Sequence, residues 1–569
     1  MSDLSAEQEA IVKAPLESLS VIACAGSGKT RTAVHRLVEM RRLMGDHRGR
    51  VALLSFSNIA VDTFRESYRI LVQSQPACIN QNRIEIGTLD GFITSNILSP
   101  HAHRTMGATQ PAFLVAGGET FLKGFTFRTN THPLDISKMK VGFRDGNVYF
   151  YYTTYNNQAI ELDTTYALNL VNRLGEIGAY THNLGRYWCY RVLSEQPNLL
   201  RALALRYPQI LIDESQDIGV LHQAILEQLI SAGSQITLIG DPNQGIYEFA
   251  DADGKFLMQY GLRADVRSYQ LTRNYRSISS IVTLANNLSG RTDTAEMKSH
   301  LPLHGAFFIS YKDSMKEQLI TAFQETVIAA NLNLKSSAVV CRNSDLVNTL
   351  TGENTPVGFG LVKGFVKAAI LRDKHQDYLN AFKIVASCIS KLLIDPPKNI
   401  TVVITHPEFR SLRHEIWSFI RNPDLGLPST SLIADTEWHP LLLERVKVLL
   451  SSLQLKFGLK IVDRLGNKLT VRELPNSPLV IEAEIEKNII LRVDTVHQVK
   501  GESLDSVLYL ATSKNITDLL NGLDTENGRI GYVAVTRARY LFWLGVPEKS
   551  LNNLRSTLIS KGFQEAVCA

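Results

Sequence analysis

Short runs of apolar residues recur along the chain, at 19–23, 51–55, 84–88, 210–213, 236–240, 338–341 and 506–511. They lack the polar alternation of a half-exposed strand, which suits strands covered on both faces. Stretches with helical spacing, such as 30–43 and 215–230, lie between them. Strand and helix patterns in alternation predict α/β domains built on parallel sheets. Ligands of such sheets gather at the carboxyl ends of the strands.

Two segments break the alternation. Residues 92–200 begin and end helical but enclose KVGFRDGNVYFYYTTY, where Asp145-Gly146-Asn147 predicts a hairpin turn between two strands. Its tyrosines suit either stacking on bases or packing on a small sheet, and strand propensity favours packing. Residues 365–490 are mainly helical, with breaks at Pro396-Pro397 and Asn422-Pro423, and read as an inserted helical domain.

Composition narrows the class only a little. A chain of 569 residues exceeds what one core holds, so several domains are expected. Hydrophobic content of 44% and charged content of 20% are those of an ordinary globular protein. The net charge of +5 is compatible with a polyanion partner without requiring one. MSDLSAEQEAIVKAP has no basic leader ahead of an apolar run, and no long apolar stretch follows it. Neither a secretory signal nor a membrane span is expected. The six cysteines are scattered without a CxxC pair, which argues against a zinc site and for a reducing, cytoplasmic setting.

The first chemistry lies at 19–32, LSVIACAGSGKTRT, an apolar strand followed by a small-residue loop and a helix start. Backbone N–H groups from Ala25 through Gly28, including Gly26 and Ser27, can approach phosphate oxygens where no bulky Cβ intervenes. The helix N-terminus adds a favourable dipole. Lys29 would pair with β- and γ-phosphates, and the Thr30 hydroxyl would ligate Mg²⁺. The strict pattern asks for glycine at 23; Ala23 fits if its φ is negative. QILIDESQD at 209–217 is a strand ending in adjacent acids. Asp213 would hold Mg²⁺ opposite Thr30, and Glu214 would deprotonate the attacking water. A DE pair alone is usually a solvated turn; joined to a phosphate loop it points to nucleoside triphosphate hydrolysis.

These runs do not stand alone. LSAEQ (4–8), SFSNIAVDTF (55–64), LIGDPNQGIYEFADAD (238–253), LTRNYRS (271–277), VDTVHQVKGESLDSV (493–507) and RIGYVAVTRARYLFWLG (529–545) follow in order. Together the eight runs resemble the motif set of UvrD/Rep-type superfamily 1 helicases. The resemblance implies two RecA-like P-loop domains with parallel sheets and ATP between them, each interrupted by an accessory insertion. The first would comprise 1–91 and 201–275, with 92–200 a mixed α/β insertion. The second would comprise 276–364 and 491–569, with 365–490 a mainly helical insertion.

By motif position, Gln8 would read the adenine edge, Tyr275 would stack on the adenine ring, and Arg31 follows the phosphate loop as in the family. Gln244 would contact the γ-phosphate and attacking water, and Arg276 and Arg537 would reach the γ-phosphate, Arg537 from the second domain. Such a trans guanidinium stabilises the transition state only when the cleft is closed. Phe56, Tyr247 and Phe249 match the family's base-stacking positions, and Asn58 and Thr88 its polar contacts to the strand. Base stacking is worth about 1–3 kcal/mol per base and tolerates any sequence.

Two departures stand out. Phe249-Ala250 replaces the family's Trp-Arg, in the segment joining ATP site to DNA, and Glu502 in KGESLD sits one place before the usual acid, which bears on its sugar contact. The resemblance implies an ATP-dependent 3′→5′ translocase or helicase on single-stranded or tailed duplex DNA. A second reading is a nucleotide-gated DNA-sensing ATPase subunit of a defence complex, similar to the helicase-like subunit of Gabija-type anti-phage systems, beside an OLD-type nuclease. A small-molecule kinase would share the phosphate loop but gives Arg537 and the aromatic row no task.

Overall fold

The computed structural model describes residues 4–74, 83–115, 120–129, 132–144, 146–154, 158–246, 254–350, 358–374, 376–394, 396–397, 409–479 and 491–566. Two six-stranded, wholly parallel sheets organise one compact unit, 1–344 with 490–569. The first contains β1 (Ser18–Ala23), β2 (Val51–Ser55), β3 (Ile84–Thr88), β4 (Gln209–Ile212), β5 (Gln235–Gly240) and β6 (Val266–Leu271), in the order β6-β1-β5-β4-β2-β3. β1, β2 and β4 are buried almost throughout, as expected of strands covered on both faces. The second contains β7 (Gly305–Tyr311), β8 (Ser337–Cys341), β9 (Arg492–Thr495), β10 (Leu504–Leu510), β11 (Ala538–Pro547) and β12 (Gln564–Glu565), in the order β9-β8-β10-β11-β7-β12. Two open parallel sheets of this kind are the expected pair of RecA-like halves.

All seven apolar runs fall on strands, within a residue or two at their ends. Five strands of these two sheets went unpredicted, the exposed two-residue β12 among them. β6 lies at the sheet edge, buried at its two ends and mostly exposed between, so it carries no apolar run. β7 and β11 are apolar but aromatic-rich, and β9 is short and half-polar. The helix expected over 215–230 instead begins at Val220, as part of Val220–Ser231. Ser215–Asp217 forms a 3₁₀ turn first, because Glu214 adopts a left-handed backbone (φ 52°) that bends the chain away from the strand. Gly219 then takes the N-cap position.

The 92–200 segment has no core of its own. Phe92, Phe150, Leu170 and Trp188 are buried in one continuous cluster with Ala52, Leu54, Ile210 and Ile212 of the first sheet. The hairpin forms: Lys140–Arg144 runs antiparallel to Asn147–Thr153, with Arg144 opposite Asn147, and Ala159–Glu161 adds a third strand. Asp145 lies outside the described residues. The aromatic side chains pack: Phe150, Tyr151 and Tyr152 are buried, and the Phe150 ring meets Tyr187 edge-on at 5.4 Å.

Residues 345–489 form a second compact unit. Helices Leu361–Asp373, Tyr378–Ser390, Arg410–Arg421 and His439–Phe457 enclose Phe365, Phe382, Trp438 and Leu442. Phe382 and Trp417 stack at 5.0 Å. Asn422, before Pro423, caps the third of these helices, as the sequence break predicted. Among the described residues no helix is long and apolar enough to cross a membrane.

Phe150→Ala should cost about 3–5 kcal/mol in urea unfolding, because it empties a fully buried ring site. A loss under about 1 kcal/mol would mean that the hairpin is not part of the core.

Candidate functional site

The site is built at the carboxyl end of the first sheet. β1 ends at Ala23, which has no positive φ, so the methyl at the variant position is accommodated as strand. Gly26 and Gly28 then turn left-handed, at φ 73° and 79°. A Cβ at Gly26 would lie 2.5 Å from the Arg276 Cβ, and one at Gly28 2.7 Å from the Gln8 Nε2. Both the backbone turn and the space therefore demand glycine. Helix Lys29–Leu43 starts from Gly28 with no side-chain cap, which leaves its first N–H groups available to an anion.

Two strips of chain hold this loop. Ser5 and Gln8 form a capping box on the helix Ala6–Val12, and the Gln8 Nε2 donates to the Ser27 carbonyl at 3.0 Å. Gln8 thus keeps one N–H and one lone pair for a base. On the other side, the strand Arg273–Ile278 carries Asn274, whose Nδ2 donates to the Ala25 carbonyl at 2.8 Å. Its Oδ1 accepts from the N–H groups of Arg276 and Ser277. The Tyr275 N–H donates to the Gly26 carbonyl at 2.9 Å, while its ring stays exposed. Arg31 lies half-buried in the first helical turn after Thr30.

Acidic side chains crowd the opposite wall. Asp213, Asp217 and Asp241 are buried and Glu214 is half-buried. The Asp213 Oδ1 is buried without a hydrogen-bond partner. Burial pushes its carboxyl up, with the Glu214 charge adding to the effect. On Glu214, burial is outweighed by Lys29, Lys500 and the Gln216 amide, which hold its pKa down. Burial also pushes Asp217 up to about 6, although the Lys500 Nζ donates to both its oxygens at 2.7 and 2.8 Å.

A hydrogen-bonded chain connects these acids to the second sheet. The Gln216 Nε2 donates to the Glu214 Oε2 at 2.5 Å, and the Gln216 Oε1 accepts from the Asp241 N–H at 3.1 Å. The Gln244 Nε2 donates to the Asp241 Oδ2 at 2.7 Å, and the Arg537 Nη2 donates to the Gln244 Oε1 at 2.7 Å. Arg537 ends the helix Glu526–Arg537 and is itself buried. Arg276 donates to the Thr536 carbonyl at 3.0 Å; burial and the neighbouring Arg537 pull its pKa down to about 9.

Lys29, Asp213, Glu214, Gln244, Arg276 and Arg537 are thus brought to one place. Glu502 is partly separate. Its carboxylate is paired bidentately with Arg492, and only its main-chain carbonyl accepts from Arg537. Asn274, Gln216, Asp217, Asp241 and Lys500 were not singled out from sequence, although all lie inside the quoted runs. Of these, Asp241 carries the plainest signal, a polar residue directly after a strand end.

One arrangement of described residues suits a metal. No group of three or more His, Cys, Asp or Glu side chains among the described residues forms a cage. Thr30, at the start of its helix, and the unpartnered oxygen of Asp213 suit an ion completed by water and phosphate oxygens.

The proposed DNA residues lie at the next two strand ends. Phe56 is half-buried after β2, and Asn58 is exposed at the start of helix Asn58–Ser74. The Thr88 Oγ1 accepts from the Gly91 N–H at 3.0 Å, so its hydroxyl proton remains to be donated. Tyr247 and Phe249, with Ala250, lie outside the described residues. Beside Phe56, Asp90 accepts from Arg186 at 2.7 and 3.0 Å and from His222 at 2.9 Å.

A glycine-lined loop beside a strand-end acid pair, reached by Arg537 from the helix that leads into the second parallel sheet, defines a two-sheet P-loop protein. The family model of the UvrD/REP helicase N-terminal domain matches residues 4–141 and 130–263, and this part of the chain is of that type. Relatives include YjcD of Bacillus subtilis (25% identical over 47% of this chain and 36% of its own length). They also include DNA helicase II of Haemophilus influenzae (25%, over 51% and 40%) and ATP-dependent DNA helicase UvrD2 of Mycobacterium bovis (23%, over 54% and 46%). The chain therefore spans less than half the length of these relatives.

Asp90 yields a pH prediction. Burial alone would raise its pKa, but the bonds from His222 and Arg186 hold it well below the usual carboxylate range. Its ionisation favours the folded state above about pH 4, and that benefit fades as the pH falls further. Thermal melts of wild type and Asp90→Asn should differ most above about pH 4, and the gap should narrow steadily as the pH falls below that. A gap that does not change with pH would remove the ion pair from the account.

Proposed function

We propose that the chain is an ATP-driven motor that translocates 3′→5′ on single-stranded or tailed duplex DNA. The observation that carries this reading is the unbroken hydrogen-bonded chain from Glu214 through Gln216, Asp241 and Gln244 to Arg537. A simple phosphate-binding enzyme has no use for an arginine wired from a second sheet to the base. A motor does, because the state of the nucleotide must alter how the two halves meet.

In this reading 1–91 with 201–275 and 276–364 with 491–569 are the two RecA-like halves, with insertions at 92–200 and 365–490. The amides of 25–28 and the Lys29 ammonium hold the β- and γ-phosphates of ATP, and Gln8 and Tyr275 hold adenine. Mg²⁺, bound by Thr30 and Asp213, would neutralise phosphate charge. The Glu214 Oε1, left open because Gln216 occupies Oε2, accepts a proton from the attacking water. Gln244 orients that water. Arg276 and Arg537 stabilise charge on the transferring phosphoryl group, and its release frees Arg537 to move away. Phe56, with Tyr247 and Phe249, stacks on bases, while Asn58 and Thr88 bind the strand.

Lys29→Ala should abolish ATP hydrolysis, and Glu214→Gln should keep nucleotide binding while stopping turnover. Loss of binding in the second variant would make Glu214 structural. Arg537→Lys should lower kcat by about a thousandfold with little change in the ATP KM, since lysine cannot match the planar guanidinium fork. Equal loss in both parameters would point to misfolding of the cleft. Displacement of a 3′-tailed but not a 5′-tailed duplex is the expected polarity. ATPase without displacement of either would favour the DNA-sensing defence subunit beside an OLD-type nuclease, for which Phe249-Ala250 is the sequence feature.

A further inference from the structure

Phe56 is placed by a second set of residues with no part in the ATP site. The His222 ring meets it edge-on, with centroids 5.6 Å apart and planes at 77°. His222 is buried at 3% exposure in helix Val220–Ser231, a few residues after the turn that carries Glu214. Its Nε2 lies 2.9 Å from the Asp90 Oδ1, so the Nε2 carries the proton in the neutral ring. Asp90 follows β3, next to Thr88. It is gripped in turn by Arg186, through Nε at 3.0 Å and Nη2 at 2.7 Å, from helix His182–Glu195 of the 92–200 segment.

We infer that Arg186, Asp90 and His222 form a positioning relay that fixes the Phe56 ring for stacking on a nucleic-acid base. This inference rests on the reading of Phe56 as a DNA contact. Three observations carry it.

First, a half-buried phenylalanine at a strand end has rotamers to lose on binding, and a ring held beforehand loses fewer. His222 supplies the only ring contact among the described residues that Phe56 makes.

Second, the arrangement solves a charge problem. A bare carboxylate beside Thr88 and Asn58 would repel the phosphates those residues are proposed to bind. Arg186 covers Asp90 with a two-pronged ion pair, and burial beside Arg186 keeps His222 uncharged. The trio is then neutral toward a polyanion.

Third, a merely structural Asp–Arg pair would not need a buried histidine spanning from it to an aromatic edge. Through Arg186 the chain of contacts gives the accessory segment a hold on the proposed DNA face. Arg186 and His222 touch neither the phosphate loop nor the acid cluster in any hydrogen bond or ion pair described above, so their substitution separates DNA binding from ATP chemistry.

The test uses the full chain, with fluorescence anisotropy on a labelled oligothymidylate and DNA-stimulated ATPase. Phe56→Ala comes first: unchanged DNA affinity would end the Phe56 reading itself, whatever the relay does. If Phe56→Ala weakens binding, His222→Phe and Arg186→Met should each raise the DNA concentration for half-maximal ATPase stimulation by about tenfold, the scale of one stacked base. DNA-free ATPase and the ATP KM should stay near wild type, while the melting temperature falls as the Asp90 pairing is lost. Combined with Phe56→Ala, neither substitution should weaken binding further, because the ring they position is gone. Additive losses, with a shallower salt dependence for Arg186→Met, would show that Arg186 binds phosphate directly and overturn the relay. A matching fall in DNA-free ATPase would make the trio a structural brace and overturn it too.

Discussion

Four carboxyl groups, Asp213, Glu214, Asp217 and Asp241, crowd the carboxyl end of one parallel sheet, and much else follows from the need to offset them. Like charges at such range in a low-dielectric setting are costly unless cations or hydrogen bonds answer them. The first half supplies Lys29 and the Gln216 and Gln244 amides. It does not supply the rest. Lys500 and Arg537 come from the second half, and Arg276 sits on the strand that leads into it. The meeting of the halves is thus dictated by unbalanced charge as much as by apolar contact, although Ile246 and Ile278 do join the second core. Buried ion pairs of this sort add little net stability but punish wrong register.

The phosphate loop shows the same economy in its shape. The loop carries no side chain of its own at Gly26 and Gly28, and neighbours fill the vacated space: Arg276 against the first, Gln8 against the second. Asn274 then converts that contact into register, with one amide bonded to the Ala25 carbonyl and to two N–H groups of its own strand. A bend in the strand Arg273–Ile278 would therefore be felt at the phosphates.

Much of this was legible in the sequence, because burial on both faces leaves uninterrupted apolar runs. β1, β2, β4 and β5 announce themselves in that way, and the residues just past their ends are the ones that matter. The illegible parts share a physical cause as well. β6 is an edge strand, and half its side chains answer to water and not to the core. The late start of helix Val220–Ser231 depends on Glu214 accepting a left-handed backbone, which no periodicity encodes. The partners of Asp217 and Asp90 lie far away in sequence, at Lys500 and Arg186, and only the folded chain reveals them. Glu502 is the opposite case: its place in a motif suggested a ligand, but Arg492 is two strand residues from Asp494 and reaches the carboxylate first.

The contact between Gly26 and Arg276 also bears on how such a chain can change over generations. The two positions lie far apart in the gene, yet the Cβ of one occupies the place where the other would need its own. Neither can drift alone. A side chain at 26 would displace the strand that carries an arginine, and a shift of that strand would open a gap under the loop. Exchange of gene segments with a crossover between these positions would join a loop to a strand that had not been fitted to it. Inheritance should keep the two as one block.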